Sequence, residues 1–124
     1  GSIGELEKPM DEITFFDLLK NKLGLKYLRH TNKLNKKISK VSVVVGSGSF
    51  AIKDSIESNV DAFITSDFKY HNFFEADNKA ILIDIGHYES EKHIKLFIKE
   101  FLNKKLPNFT VLLSEQNINP VNYY

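Results

Sequence analysis

The chain has 124 residues, no cysteine and a formal net charge of +1. That length fits one small domain with one core. Disulfides and thiolate metal sites are excluded, so any metal would have to use His, Asp, Glu or water, and the charge is too small to argue for nucleic acid or another polyanion as a partner. The longest apolar runs are about five residues, far short of a membrane span. No signal peptide is visible, and a cytoplasmic protein, or a piece of one, is the expectation.

In chain order, residues 1–10 read as a leading loop, with Gly1-Ser2 either an expression scar or native. The spacing predicts a helix over 11–23 with Ile13, Phe16, Leu19 and Leu23 on one side, stopped by Gly24. Residues 25–30 alternate as a short strand would. Residues 31–40 are basic, with Lys33, Lys36, Lys37 and Lys40, and read as a solvated loop. A regular alternation follows. Val41-Ser42-Val43-Val44-Val45 is a β-branched strand, and Gly46-Ser47-Gly48-Ser49 leads into a helix through Ser58. Ala62-Phe63-Ile64-Thr65 is a strand, followed by Ser66-Asp67 and a helix over about 69–76. Residues 80–85 form a strand, and a long helix then runs from His87 to about Lys104, ahead of a last strand over 109–113.

This order predicts βαβ units: a three-layer α/β/α domain spanning 1–124, with a mainly parallel sheet. Right-handed crossovers bring the strand-to-helix turns to one sheet edge, the carboxyl edge where open α/β sheets bind ligands. Three polar clusters should meet there.

The first is Gly46, Ser47, Gly48 and Ser49. Two glycines permit unusual backbone angles and close approach, a serine can cap the next helix, and free amides at a helix start attract anions. A tight turn and an anion-binding turn both fit, and no complete dinucleotide or phosphate-loop pattern is present. The second is Asp67, Lys69 and His71. Asp67 reads as a helix cap or pocket residue, and His71 as a surface histidine or proton carrier. The third is the strongest: Ile83-Asp84-Ile85-Gly86-His87-Tyr88-Glu89-Ser90-Glu91. His87 and Glu91 stand four residues apart, about 400° of helical turn, and so share a face. An imidazole and a carboxylate at that spacing can reach one cation; a capped helix start is the structural alternative. Asp84, inside an apolar strand, could orient His87 by accepting its other N–H or bond to backbone.

Taken together, Gly-Ser-Gly-Ser, Val60-Asp61-Ala62-Phe63-Ile64-Thr65-Ser66-Asp67-Phe68-Lys69-Tyr70-His71, Ile83-Asp84-Ile85-Gly86-His87-Tyr88-Glu89-Ser90-Glu91 and the terminal Asn119-Pro120-Val121-Asn122-Tyr123-Tyr124 resemble the C-terminal part of one family across essentially the whole chain. It is the NGG-one-interacting-factor-three family, known in bacteria as GTP cyclohydrolase 1 type 2 and as dinuclear metal centre proteins. Family members commonly read Gly-Asp at Ser66-Asp67, Thr at Ser90 and Ala at Glu89; the His87–Glu91 spacing is intact.

The resemblance implies the C-terminal half of a two-half fold, set after an inserted domain in the longer members. It implies two divalent metal ions per site in the full-length protein, Zn, Fe and Mn not being distinguished. His87 and Glu91 match the family's C-terminal ligands. The family's His-His pair and its N-terminal Asp have no counterpart, so the site in this chain would be half built and the chain inactive alone. It further implies a toroidal homohexamer and a metal-dependent hydrolase acting on a nucleotide, as a GTP cyclohydrolase does. A non-enzymatic metal-binding, regulatory or oligomerisation module is the other reading.

Overall fold

A computed structural model describes residues 1–116 and 118–122; the Tyr123-Tyr124 end of the terminal motif lies outside the described residues. The chain divides into two compact units, Gly1–Ser90 and Glu91–Tyr124.

The first unit is built on a five-stranded sheet. In chain order its elements are β1 (Ser2–Asp11), α1 (Glu12–Leu23), β2 (Arg29–His30), β3 (Lys37–Ser47), a 3₁₀ turn at Ser49–Ala51, α2 (Ile52–Glu57), β4 (Ala62–Ser66), a 3₁₀ helix at Tyr70–Ala76 and β5 (Ile81–Asp84). The spatial order is β1-β3-β4-β5-β2. β3, β4 and β5 are parallel, whereas β1 pairs antiparallel with β3 and β2 antiparallel with β5. The sheet is therefore mixed, with a parallel centre and antiparallel edges, rather than mainly parallel.

The central strands are apolar on both sides because both sides are covered. Every residue of β4 and β5 is buried. Ala62, Ile64, Ile81 and Ile83 pack with Phe15 and Phe16 of α1 on one face. Phe63 and Leu82 pack with Ile52 of α2, and with Val60, Phe68 and Ala76, on the other. Strand alternation thus splits one run of apolar residues between two cores.

The edges depart from the sequence reading. Residues 2–11 are a strand, not a loop, with Ser2 opposite Val43 and Asp11 opposite Lys37. The strand carries Glu5, Glu7, Lys8 and Pro9 and is almost wholly exposed; charges and proline are how edge strands avoid further pairing, and they erase the apolar signature. The expected strand over 25–30 shrinks to Arg29–His30, the two residues that pair with β5.

α1 begins where Asp11 caps it: its carboxylate accepts from the Thr14 amide at 3.0 Å and the Thr14 hydroxyl at 2.6 Å. It ends at Gly24, φ 60°. Its inward face is Glu12, Phe15 and Phe16, with Leu18, Leu19 and Leu23 packed beside them; of the expected stripe Phe16, Leu19 and Leu23 face the core, and Ile13 is half exposed. Glu12 sits in the buried stripe because its carboxylate accepts from the Leu34 amide at 2.7 Å.

α3 (His87–Glu91) starts in the first unit, and its last residue, Glu91, opens the second. α4 (Ile94–Lys105) follows a two-residue turn, so the single long helix expected from His87 onward is two helices. Within α4, Ile94, Phe97, Ile98 and Phe101 lie on one stripe, and all four are exposed. No strand forms over 109–113: Phe109 and Leu112 are 69% and 83% exposed, and β-propensity without a pairing partner does not make a strand. Among the described residues no helix is long and apolar enough to cross a membrane.

Gly48 has an ordinary φ of −122°, but a Cβ there would lie 2.2 Å from Thr65 Oγ1 and 2.9 Å from the Val44 Cβ. Gly4 has open space around it. Gly48→Ala should therefore lower stability by about 1–3 kcal/mol through overpacking, while Gly4→Ala leaves it within about 0.5 kcal/mol; thermal denaturation of both variants measures this, and equal effects would contradict it. The Asp11 cap generates a second expectation. Its bonds to Thr14 hold the Asp11 carboxyl below the usual carboxylate range. The cap's contribution is then present above the unfolded pKa and is lost as the pH falls through the lower folded value. Melting curves of wild type and Asp11→Ala should differ at neutral pH, and the difference should begin to shrink as the pH falls below about 4.

Candidate functional site

The three parallel strands end side by side, each with a residue in the left-handed region near its end: Gly46, at φ 71°, lies one residue before the end of β3, where the register with β4 shifts, and Asp67 at φ 61° and Gly86 at φ 86° follow β4 and β5. Glycine takes this conformation without steric cost; Asp is among the few other residues that tolerate it.

The three turns are tied to one another. The Gly46 carbonyl accepts from the Thr65 hydroxyl at 2.9 Å and the Ser66 hydroxyl at 2.5 Å, joining the first turn to the end of β4. The Gly46 amide donates to Ser90 Oγ at 2.9 Å, and Ser90 Oγ donates to the His87 carbonyl at 2.8 Å, joining the first turn to α3. The second and third turns meet directly: His87 Nδ1 lies 2.6 Å from Asp67 Oδ2, with both side chains about half exposed.

Asp84 lies beneath this pair and is buried. One of its carboxylate oxygens accepts from the Phe68 amide at 3.0 Å and from the Arg29 guanidinium; the other accepts from the Gly86 amide at 3.0 Å. Arg29 also donates to the Phe68 carbonyl at 3.0 Å. The carboxylate that reaches the His87 ring is thus that of Asp67. Asp84 reaches the backbone on either side of the pair.

The remaining sequence candidates are more dispersed. Lys69 and His71 are exposed at the start of the 3₁₀ helix; the Lys69 amide donates to Asn72 Oδ1 at 2.9 Å. Neither Ser47 nor Ser49 caps a helix with its side chain, and α2 is only six residues long. In Gly46-Ser47-Gly48-Ser49, the Gly46 amide is spent on Ser90 and the Gly48 carbonyl accepts from the Ala51 amide. Glu91 is exposed and belongs to the second compact unit. A cleft of about 480 Å³ lies elsewhere in the first unit, against Asn32, Tyr70, Phe74 and Asn78.

Arg29 and Ser90 were not picked out from the sequence. A signal for Arg29 existed: it is the only arginine in the chain, and a carboxylate inside an apolar strand requires a cation or several donors. Ser90 gave no such signal, because its role depends on a 44-residue separation.

An imidazole held at Nδ1 by a carboxylate is how metal-binding histidines are oriented, with Nε2 as the ligating atom. His87 and Asp67 fit one such ligand and its support. Among the described residues no group of three or more His, Asp or Glu could hold an ion, so the fit is to part of a metal site.

The sequence matches the Duf34/NIF3 (NGG1p interacting factor 3) family over residues 1–120. It is 35% identical over 109 residues to a GTP cyclohydrolase 1 type 2 homolog of Clostridium perfringens, covering 86% of this chain and 41% of that protein. It is 35% identical over 129 residues to a homolog of the same description from Staphylococcus epidermidis, covering 99% of this chain and 35% of that protein. The crystal structure of Staphylococcus aureus protein SA1388 superposes with a TM-score of 0.83 at 27% identity, covering 98% of this chain and 41% of that one. The chain thus spans well under half the length of these relatives and, on the family match over nearly all of its residues, belongs to the Duf34/NIF3 family.

Proposed function

We propose that this chain is the C-terminal portion of a dinuclear-metal protein that hydrolyses a nucleotide in the manner of a GTP cyclohydrolase, with His87 and Glu91 as its contribution to the ligand set. The observation that carries this reading is the 2.6 Å contact between His87 Nδ1 and Asp67 Oδ2. It fixes the ring and raises its basicity, which favours ligation through Nε2. Glu91 enters on its spacing from His87 and on the family resemblance. The other ligands would come from outside these 124 residues. When bound, the metal supplies a water acidified toward neutral pH for attack on the substrate. The chain's own part is to hold the imidazole and to present Asp67 and, farther along the rim, Lys69 and His71 toward an incoming ligand.

A second reading, a non-catalytic assembly module, is favoured by the exposed apolar stripe Ile94, Phe97, Ile98 and Phe101 of α4. Such a stripe suits a self-associating surface of the kind a ring-shaped homo-oligomer needs.

Zinc titration separates the two. The chain alone, with part of a ligand set, should bind zinc weakly, in the millimolar range. His87→Ala should abolish that binding, and Asp67→Asn should weaken it by about 10–100-fold, the usual cost of losing a supporting carboxylate. Micromolar binding by the chain alone, or affinity unchanged in His87→Ala, would contradict the proposal. Absence of zinc binding together with concentration-dependent association in sedimentation would favour the assembly module.

A further inference from the structure

We propose that Asp84 is a positioning residue: working through two backbone amides, with Arg29 as its counter-charge, it sets the distance between Asp67 and His87. The proposal goes beyond the metal reading and rests on it only for the consequence for zinc.

The geometry is specific. Asp84 Oδ2 accepts from the amide of Phe68, the residue just after Asp67. Asp84 Oδ1 accepts from the amide of Gly86, the residue just before His87. One rigid carboxylate therefore spans the two turns whose side chains meet above it. Arg29 completes the clamp: β2 pairs with β5 so that Arg29 stands opposite Asp84, and its guanidinium bonds both to Asp84 and to the Phe68 carbonyl. The backbone of Phe68 is thus held on both sides of its Cα, at the N–H and at the C=O.

Phe68 is a fixed point in its own right. Its ring is buried and makes edge contacts with Phe63 and Phe73, with centroids 5.9 and 5.4 Å apart. The Arg29 guanidinium lies 5.4 Å from the centre of the Phe73 ring. Asp67, by contrast, sits in the left-handed region, where the backbone of a non-glycine residue relaxes unless its surroundings hold it, and Gly86 is free to adopt many other backbone angles. Charge-assisted bonds to amides are about twice as strong as neutral ones. A displacement of about 1 Å at either turn would take a 2.6 Å contact beyond hydrogen-bond range.

The full 124-residue chain, labelled with ¹⁵N and titrated with zinc chloride, tests this. In Asp84→Asn one oxygen acceptor becomes a donor, so one of the two amides loses its partner. We expect the Phe68 and Gly86 amide resonances to move and the His87 ring resonances to shift to their positions in Asp67→Asn. Zinc affinity should fall by about tenfold or more. The amide resonances of Ile64 and Leu82, inside the sheet, should stay in place, which a general loosening of the fold would not allow. Should Asp84→Asn fail to fold, Arg29→Gln gives the same reading, with the His87 resonances moving the same way by a smaller amount. The proposal is overturned if a folded Asp84→Asn, or Arg29→Gln where that is the variant used, leaves the His87 ring resonances at wild-type positions. If wild type shows no zinc response, the metal reading fails, and the His87 resonances alone decide the role of Asp84.

Discussion

The carbonyl of Gly46 and the carboxylate of Asp84 hold the carboxyl edge of the sheet together. Left-handed residues stand near the ends of all three parallel strands, and bonds from one turn to the next tie them together. Gly46 draws in the Thr65 and Ser66 hydroxyls from β4, and its amide takes the Ser90 hydroxyl from α3. Asp84 gathers the second and third turns from below. Remove these two acceptors and the sheet would persist, because its packing lies in the two apolar layers, but its rim would lose register.

The energetics point the same way. A buried carboxylate is costly unless it is paired and fully hydrogen-bonded. Asp84 meets that condition with one guanidinium and two amides, and among the described residues no buried side-chain nitrogen or oxygen lacks a partner. An apolar residue in its place would avoid the desolvation cost but supply none of the bonds. A stabilising core would not select aspartate there; a rim with a defined geometry would. The half-exposed Asp67–His87 pair above it contributes little to folding, as exposed ion pairs do, which suits a contact kept for binding.

The parallel centre of the fold was legible in the sequence because its strands are buried on both faces and read as unbroken apolar runs ended by glycine or a small polar turn. The convergence of Gly46, Asp67 and Gly86 with His87 on one edge followed from the handedness of the crossovers. Three features escaped. β1 is a charged edge strand and carries no apolar alternation. The interruption between α3 and α4 leaves the periodicity unbroken, since Lys92 and His93 are acceptable helix residues. The carboxylate that reaches His87 was missed: Asp67 contacts the ring across two turns, while Asp84 takes the backbone bonds that were the other reading of it and strand register sets Arg29 opposite it.

Membership of the Duf34/NIF3 family and the held imidazole together give the account its central claim: Asp67 fixes His87 by Nδ1 so that Nε2 is presented to a metal. The most direct measurement is the tautomer of the His87 ring, read from two-bond ¹H–¹⁵N correlations with and without zinc. The account predicts a proton on Nδ1 and a zinc-dependent shift at Nε2. A proton resting on Nε2, with neither nitrogen responding to zinc, would contradict it.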